Sequence, residues 1–267
     1  MNDSNKIVQG LWIGGELSIM EQLSIQSFLK NGHDYHLYVY GDVKNIPAGT
    51  TIKDGNEILP SERIFTYQSN FGQGSYAGFA DLFRFYLLQK KGSWWVDTDV
   101  VCLKYFDFSA ESVVSSSYEA QWGVLANTCI LKQPQNSKLL NYLIEVCESK
   151  DLHRIDYGEI GPQLLQKAIA DLQYESSIVS YEAFCPITWR AVRKIVYKPE
   201  PLTPKSAIES VKDTLRPLVR PLTKPGRITR NSYAVHLWNE IWRQNKLDKN
   251  ATFDKNCLYE KLKSQYL

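Results

Sequence analysis

Two aspartates one residue apart, Asp97 and Asp99, lie inside the apolar run Trp94 to Leu103 (WWVDTDVVCL). Carboxylates in the interior of a sheet are costly without a partner. At the carboxyl end of a strand, where open α/β sheets bind ligands, the same pair makes a hard-oxygen site for Mn2+ or Mg2+. Residues i and i+2 of a strand share a face, so both side chains reach one ion. An ion held there bridges diphosphate oxygens and stabilises charge on a departing nucleotide. Upstream, Asp81 and Arg84 are three apart on an otherwise apolar helical pattern containing Phe79, Leu82, Phe83, Phe85 and Leu87. They share a helix face and can pair with each other, and two charges on such a helix need a polar pocket.

The elements that must position these residues follow from local signals. Lys6 to Ile13 reads as a buried strand, broken by Gly14-Gly15. Ser18 with Glu21 three residues on is a capping box that opens a helix, and Asn31-Gly32 stops it. Tyr35 to Tyr40 is a second strand, giving the β-α-β start of a doubly wound sheet. Tyr76 to Lys91 is a helix closed by Gly92, and Trp94 to Leu103 follows as one strand at the sheet centre. Strand-like runs surround Val113 and span Leu125 to Leu131. Asn136 to Ser149 and Pro162 to Leu172 read as helices, and Tyr233 to Trp242 alternates like a strand or tight loop.

The 267 residues can bury a large core, and 43% hydrophobic with 22% charged content excludes a disordered chain. Five widely spaced cysteines with no CxxC pair argue against a disulfide framework or a zinc site and for a reducing compartment. Met1 to Gln9 lacks a signal-peptide pattern, and no apolar run approaches the ~20 residues that span a bilayer. A cytoplasmic protein is expected. Arg190 to Arg230 differs in character: eleven Lys/Arg stand against three Asp/Glu, a net charge of +8, so the remainder carries −6 of the overall +2. Six prolines break it up, and Lys205 to Leu215 is its one helical pattern. It reads either as a solvated insertion or as an in-plane contact with anionic lipid, the latter being the expectation.

The Asp-x-Asp-x-Val pattern also fits the nucleophile strand of haloacid-dehalogenase-type phosphatases, with Asp97 attacking phosphorus. That fold places the strand near its start and needs a downstream acidic pair. Here the strand is the third or fourth, and no Asp-Asp or Gly-Asp-x-x-x-Asp follows Asp99.

The run Ala80-Asp81-Leu82-Phe83-Arg84-Phe85-Tyr86-Leu87-Leu88, then Lys91-Gly92 and Trp95-Val96-Asp97-Thr98-Asp99-Val100, resembles the DXD sugar-binding region of glycosyltransferase family 32. It is more distantly similar to the clostridial glucosylating toxins. Further landmarks keep the family's order: Leu11-Trp12-Ile13-Gly14-Gly15, Asn127, Gly161-Pro162 and His236-Leu237-Trp238. Ala80 replaces the family's usual serine, and Gly92-Ser93-Trp94-Trp95 its usual Gly-Gly-hydrophobic-Tyr; neither change removes a charged ligand. The resemblance implies a single domain over 1–267 with an α/β fold of GT-A type. Its Rossmann-like sheet is flanked by helices, and its C-terminal part is rich in helix and loop.

The resemblance also implies a retaining hexosyltransferase with Mn2+ or Mg2+ and a nucleotide-sugar donor, UDP-linked by preference. The acceptor it implies is an oligosaccharide or lipid-linked glycan of bacterial surface polysaccharide; nucleic acid is not an expected partner. Asp97, Asp99 and His236 would hold the metal, with Asn239 as a substitute ligand and Asp99 as the direct carboxylate. Asp81 would meet ribose or sugar hydroxyls, with Arg84 holding Asp81 or the sugar and phosphate. Trp12, beside Ile13, would stack on uracil, Trp95 would face the donor pocket and Trp238 would cover the diphosphate. Asn127 and Gln163 would touch sugar or acceptor hydroxyls. No second carboxylate stands out as a covalent nucleophile, which leaves a same-face substitution. A non-enzymatic alternative is a sugar-nucleotide-binding module that has lost catalysis.

Overall fold

In a computed structural model of the chain, the residues described are 3–68, 71–197 and 226–267. The Lys205 to Leu215 helix and most of the basic segment lie outside them. Strand β1 (Ile7–Trp12) leads into α1 (Ile19–Lys30), whose first turn is closed by both halves of the Ser18/Glu21 capping box. Strands β2 (Asp34–Val39) and β3 (Thr51–Asp54) follow. Helix α2 (Ala77–Lys91) stops at Gly92, whose φ of 65° suits a residue without a Cβ. Then come β4 (Ser93–Val96), β5 (Val100–Cys102), β6 (Val113–Glu119) and β7 (Gly123–Gln133). Beyond them lie α3 (Lys138–Glu148), α4 (Leu164–Leu172), the short α5 (Tyr181–Phe184) and α6 (Arg193–Val196), β8 (Ala234–His236), α7 (Asn239–Gln244) and α8 (Leu258–Tyr266).

The main sheet has the order β3-β2-β1-β4-β7-β6. Strands β3, β2, β1 and β4 are parallel, whereas β7 runs antiparallel to β4 and to β6. Strand order therefore reverses at β1, which has β2 on one side and β4 on the other. Such a switch point opens a crevice beyond the carboxyl ends of the two diverging strands. Those ends are Trp12 and Val96, so the DXD triplet begins at the mouth of the crevice.

Helices α2, α3 and α4 pack in succession over an apolar layer that includes Phe79, Phe83, Trp95, Leu140 and Leu165. Helix α1 packs against β5 and α8, its Phe28 buried in one cluster with Val100 and Cys102. The C-terminal helices close a third apolar cluster around Trp242 and Tyr259. Strand β8 pairs antiparallel with β5, placing Val100 opposite His236. That two-stranded sheet ties the late segment to the DXD triplet. Among the described residues, no helix is long and apolar enough to cross a membrane.

Candidate metal and nucleotide-sugar site

The expected single strand from Trp94 to Leu103 is two strands with a turn between them, which corrects the sequence reading. The Asp97 N–H donates to the Cys129 carbonyl at 2.8 Å, ending the ladder of β4 against β7. Val100 N–H donates to the Asp97 carbonyl at 3.2 Å and closes the turn. Alternation along an apolar run cannot reveal such a break, because residues on both sides are fully buried. The two carboxylates are thus aimed by different partners and not by a shared strand face.

Asp97 Oδ1 accepts a hydrogen bond from Trp95 Nε1 at 2.7 Å and lies 3.2 Å from Arg84 Nη2. Asp99 Oδ2 lies 3.2 Å from His236 Nε2 and accepts the backbone N–H of Asn239 at 2.7 Å. One ligand atom from each of Asp97, Asp99 and His236 falls within 4.8 Å of the others. Two carboxylates and an imidazole converging at the mouth of the crevice suit a hard or borderline divalent cation.

Arg84 organises the floor. Its Nη1 donates to the Thr128 carbonyl at 2.5 Å and its Nε to the Ala80 carbonyl at 3.1 Å. Nη2 reaches Asp81 Oδ1 at 3.3 Å as well as Asp97, and the guanidinium lies 4.8 Å from the Trp95 ring centroid. Asp81 and Arg84 do pair, but through one shared guanidinium the pair extends to the DXD turn. Asp81 is buried and packs against Gly161, where any Cβ would run into its carboxylate. A direct contact of Arg84 or Asp81 with donor would require one of these buried arrangements to open.

Burial raises Asp97 to a pKa of about 7, with Asp99 and Cys129 adding to the effect and Arg84 and His236 opposing it. Burial also pushes Asp99 upward, but His236 and the Asn239 N–H outweigh it and hold the carboxyl below its usual range. His236 is disfavoured as a cation by burial, yet Asp99 and Cys129 lift it well above the ordinary imidazole value. Without an ion, the trio therefore keeps Asp99 ionised, while Asp97 holds a proton below a pH of about 7.

A stability consequence follows. Between the unfolded aspartate value of 3.8 and about 7, the native chain binds a proton at Asp97 that the unfolded chain has lost. This contribution is present below the unfolded value and disappears as pH rises through about 7. A cation that displaces the proton is favoured in the opposite direction. The thermal shift produced by Mn2+ is expected to grow as pH is raised from about 5.5 to about 8, and to become flatter in Asp97→Asn. A shift that does not change over that range would contradict the assignment.

The other expected site residues are distributed around this centre. Trp12 is half-buried at the end of β1, and its Nε1 is buried without a hydrogen-bond partner. Lys249 Nζ lies 5.4 Å from its ring centroid. Ile13 packs against the α2 layer. Trp95 is buried beside Phe83, so it braces Asp97 from within and does not form an open pocket wall. Asn127 Oδ1 accepts the Cys129 N–H at 2.8 Å, and Gln163 is exposed beside Tyr157. Trp238 stacks at 4.1 Å from the His236 ring and donates its indole N–H to the Ile187 carbonyl. Its φ of 62° is unusual for a residue with a side chain.

Sequence reasoning missed several features: the Asn239 N–H on Asp99, the Trp95 brace on Asp97, and the thiols of Cys129 and Cys185 behind His236. Residue type alone could have flagged the tryptophan; nothing local marks the others.

A parallel sheet with its switch point between β1 and β4, a DXD turn at that point and antiparallel β7 beyond it define an α/β glycosyltransferase fold of GT-A type. The profile of the alpha 1,4-glycosyltransferase conserved region matches residues 132–266, about half of the chain and including His236 and Trp238, and the chain belongs to that family. This sharpens the broader resemblance to glycosyltransferase family 32.

Among solved structures, the chain is similar to the PaToxG glycosyltransferase at 13% identity and a TM-score of 0.46, covering 98% of this chain and 84% of that one. The glycosyltransferase domain of the YGT toxin, solved with UDP bound, shows 9% identity, TM-score 0.40 and coverage of 96% and 81%. The catalytic domain of Clostridium novyi alpha-toxin shows 11% identity, TM-score 0.36 and coverage of 98% and 80%. Likenesses this remote do not carry residue roles across. No curated protein matches the chain.

Proposed function

We propose that the chain is a divalent-metal-dependent glycosyltransferase that moves a hexose from a UDP-sugar to a glycan acceptor with retention of anomeric configuration. The observation that carries this reading is the convergence of Asp97, Asp99 and His236 at the switch point of a glycosyltransferase fold. The donor set fits Mn2+ or Mg2+, since each residue offers an oxygen or nitrogen atom and a single ion can meet all three. When bound, such an ion supplies Lewis-acid stabilisation of the diphosphate leaving group.

The chain's own residues do the rest. Asn239 N–H and His236 hold Asp99 as an ionised carboxylate, while Arg84 and Trp95 fix the rotamer of Asp97. Trp12 offers a half-buried ring with an unused N–H at the end of β1, suited to a nucleobase. Asp81 is enclosed and ion-paired, so it is a poor candidate for a covalent nucleophile. Retention then follows from same-face substitution, in which the leaving phosphate accepts the acceptor's proton. Against the phosphatase alternative, Asp97 Oδ1 is held by Trp95 and Arg84, and burial raises its carboxyl to a pKa of about 7, unsuited to a carboxylate nucleophile. The acceptor we assign is a growing bacterial surface glycan. An anionic-lipid contact through residues 190–230 draws on their charge alone, and the chemistry at the DXD turn does not require it.

The test is thermal stabilisation by UDP and Mn2+ together, beyond the sum of either alone. At a hundredfold excess over Kd, a ligand adds about 2.7 kcal/mol, a shift of several degrees for a chain of this size. Slow Mn2+-dependent hydrolysis of a UDP-sugar should accompany it. Stabilisation without hydrolysis would leave a binding module in place of an enzyme, and no cooperative shift with any nucleotide would remove the donor assignment.

A further inference from the structure

Behind the DXD turn lies a second cluster with different donor atoms. Cys129 on β7, Cys185 at the C-cap of α5 and His236 at the end of β8 are brought together from three separate elements, and all three are buried. One ligand atom from each lies within 4.8 Å of the others. Both thiols are free, and their Sγ atoms are 3.5 Å apart. The imidazole is shared between this cluster and the carboxylates. Its Nε2 faces Asp99, whereas its Nδ1 is buried without a hydrogen-bond partner.

We propose that Cys129, Cys185 and His236 Nδ1 form a binding site for a thiophilic closed-shell metal ion such as Zn2+, distinct from the hard-cation site that uses His236 Nε2. Three observations bear on it. The donor set is two sulfurs and one nitrogen, which selects Zn2+ or Cu+ over Mg2+ or Mn2+. Two thiolates about 2.3 Å from one tetrahedral Zn2+ stand roughly 3.7 Å apart, close to the Sγ separation here. Coordination would also give the buried Nδ1, which makes no well-formed hydrogen bond beside the Cys129 thiol, a direct partner. The absence of a CxxC pair, which spoke against zinc in the sequence, excludes only local ligand pairs; Cys129 and Cys185 are 56 residues apart.

Binding is an acid–base exchange without redox change: any proton on the two thiols and on Nδ1 is released to solvent as the metal–sulfur and metal–nitrogen bonds form, leaving a neutral imidazole whose remaining proton sits on Nε2 toward Asp99. The bound ion would pin the late β8 segment to β7 and α5. It would also fix the ring so that Nε2 points at Asp99, and ligation of a second cation through Nε2 would require loss of that last ring proton to give a bridging imidazolate. Groups that orient a ligating imidazole in this way change metal affinity by roughly 10–100-fold when removed.

The experiment is Co2+ titration of the metal-stripped, reduced full chain, with metal analysis of the protein as purified. The expected result is near-ultraviolet thiolate-to-Co2+ charge-transfer absorption saturating at one ion. It should disappear in Cys129→Ser and Cys185→Ser and persist in Asp97→Asn. Because a serine variant could fail to fold, X-ray absorption of the Zn2+-loaded wild type gives a direct reading, with two sulfur scatterers at about 2.3 Å expected. Only oxygen and nitrogen scatterers, or no charge-transfer band in the wild type, would overturn the proposal. So would finding Cys129 and Cys185 joined to each other as a disulfide in the purified chain. Failure of the UDP and Mn2+ test would leave these sulfur signals unchanged, so the two sites stand or fall separately.

Discussion

Asp99→Asn is expected to lower Mn2+-dependent transfer about 10³-fold or more, which corresponds to roughly 4 kcal/mol of lost transition-state stabilisation. The substitution conserves volume, so its effect isolates charge. Asp99 is buried, and its Oδ2 faces His236 Nε2 while receiving the Asn239 N–H. An amide oxygen can still accept that N–H, so β8 and α7 should keep their place. What disappears is the negative charge that both anchors a cation and holds His236 above its ordinary pKa. Mn2+ affinity, measured by titration calorimetry, should fall with activity, and the cooperative stabilisation by UDP and Mn2+ should vanish. Activity within threefold of the wild type would remove Asp99 from the metal site. Asp97→Asn is expected to have a smaller effect at low pH than at high pH, because the wild-type side chain is already protonated below about 7.

The parts of this arrangement that could be read from sequence are those whose signals are local. Ser18 and Glu21 announce the start of α1 within four residues, and Gly92 announces the end of α2 by its position after the last apolar turn. The carboxylate pair was legible because two charges inside an apolar run demand an explanation. The turn within that run was not legible, since Val96 and Val100 are equally buried on either side of it.

Partners joined over long sequence separations were harder still. Asp99 and His236 are 137 residues apart, and only the family's order of landmarks linked them beforehand. The dual use of His236 had no sequence signal, because Cys129 and Cys185 meet only once β7 and α5 have packed. The same holds for Arg84, whose pairing with Asp81 follows from helix spacing while its hold on Asp97 depends on where β4 ends.

That second hold gives Arg84 a large expected effect on stability. Arg84→Met is expected to destabilise the fold by about 3–5 kcal/mol, the range for removing one partner from a buried ionic network. The methionine can fill much of the space beside Phe83 and Trp95. It cannot, however, donate to the Thr128 and Ala80 carbonyls or neutralise Asp81 and Asp97. Lysine would restore the charge but not the planar fork that reaches these acceptors at once, so Arg84→Lys should recover only part of the loss. Asp81 is the more enclosed carboxylate, and burial raises its pKa, with Arg84 opposing that tendency. Adding Asp81→Asn to Arg84→Met should therefore return part of the stability, giving a favourable coupling in a double-mutant cycle followed by urea unfolding. Activity should not return with it, because Asp97 would still lack the guanidinium that sets its position. A loss below about 1 kcal/mol in Arg84→Met, or strict additivity with Asp81→Asn, would show that the buried network does not hold the DXD turn in place.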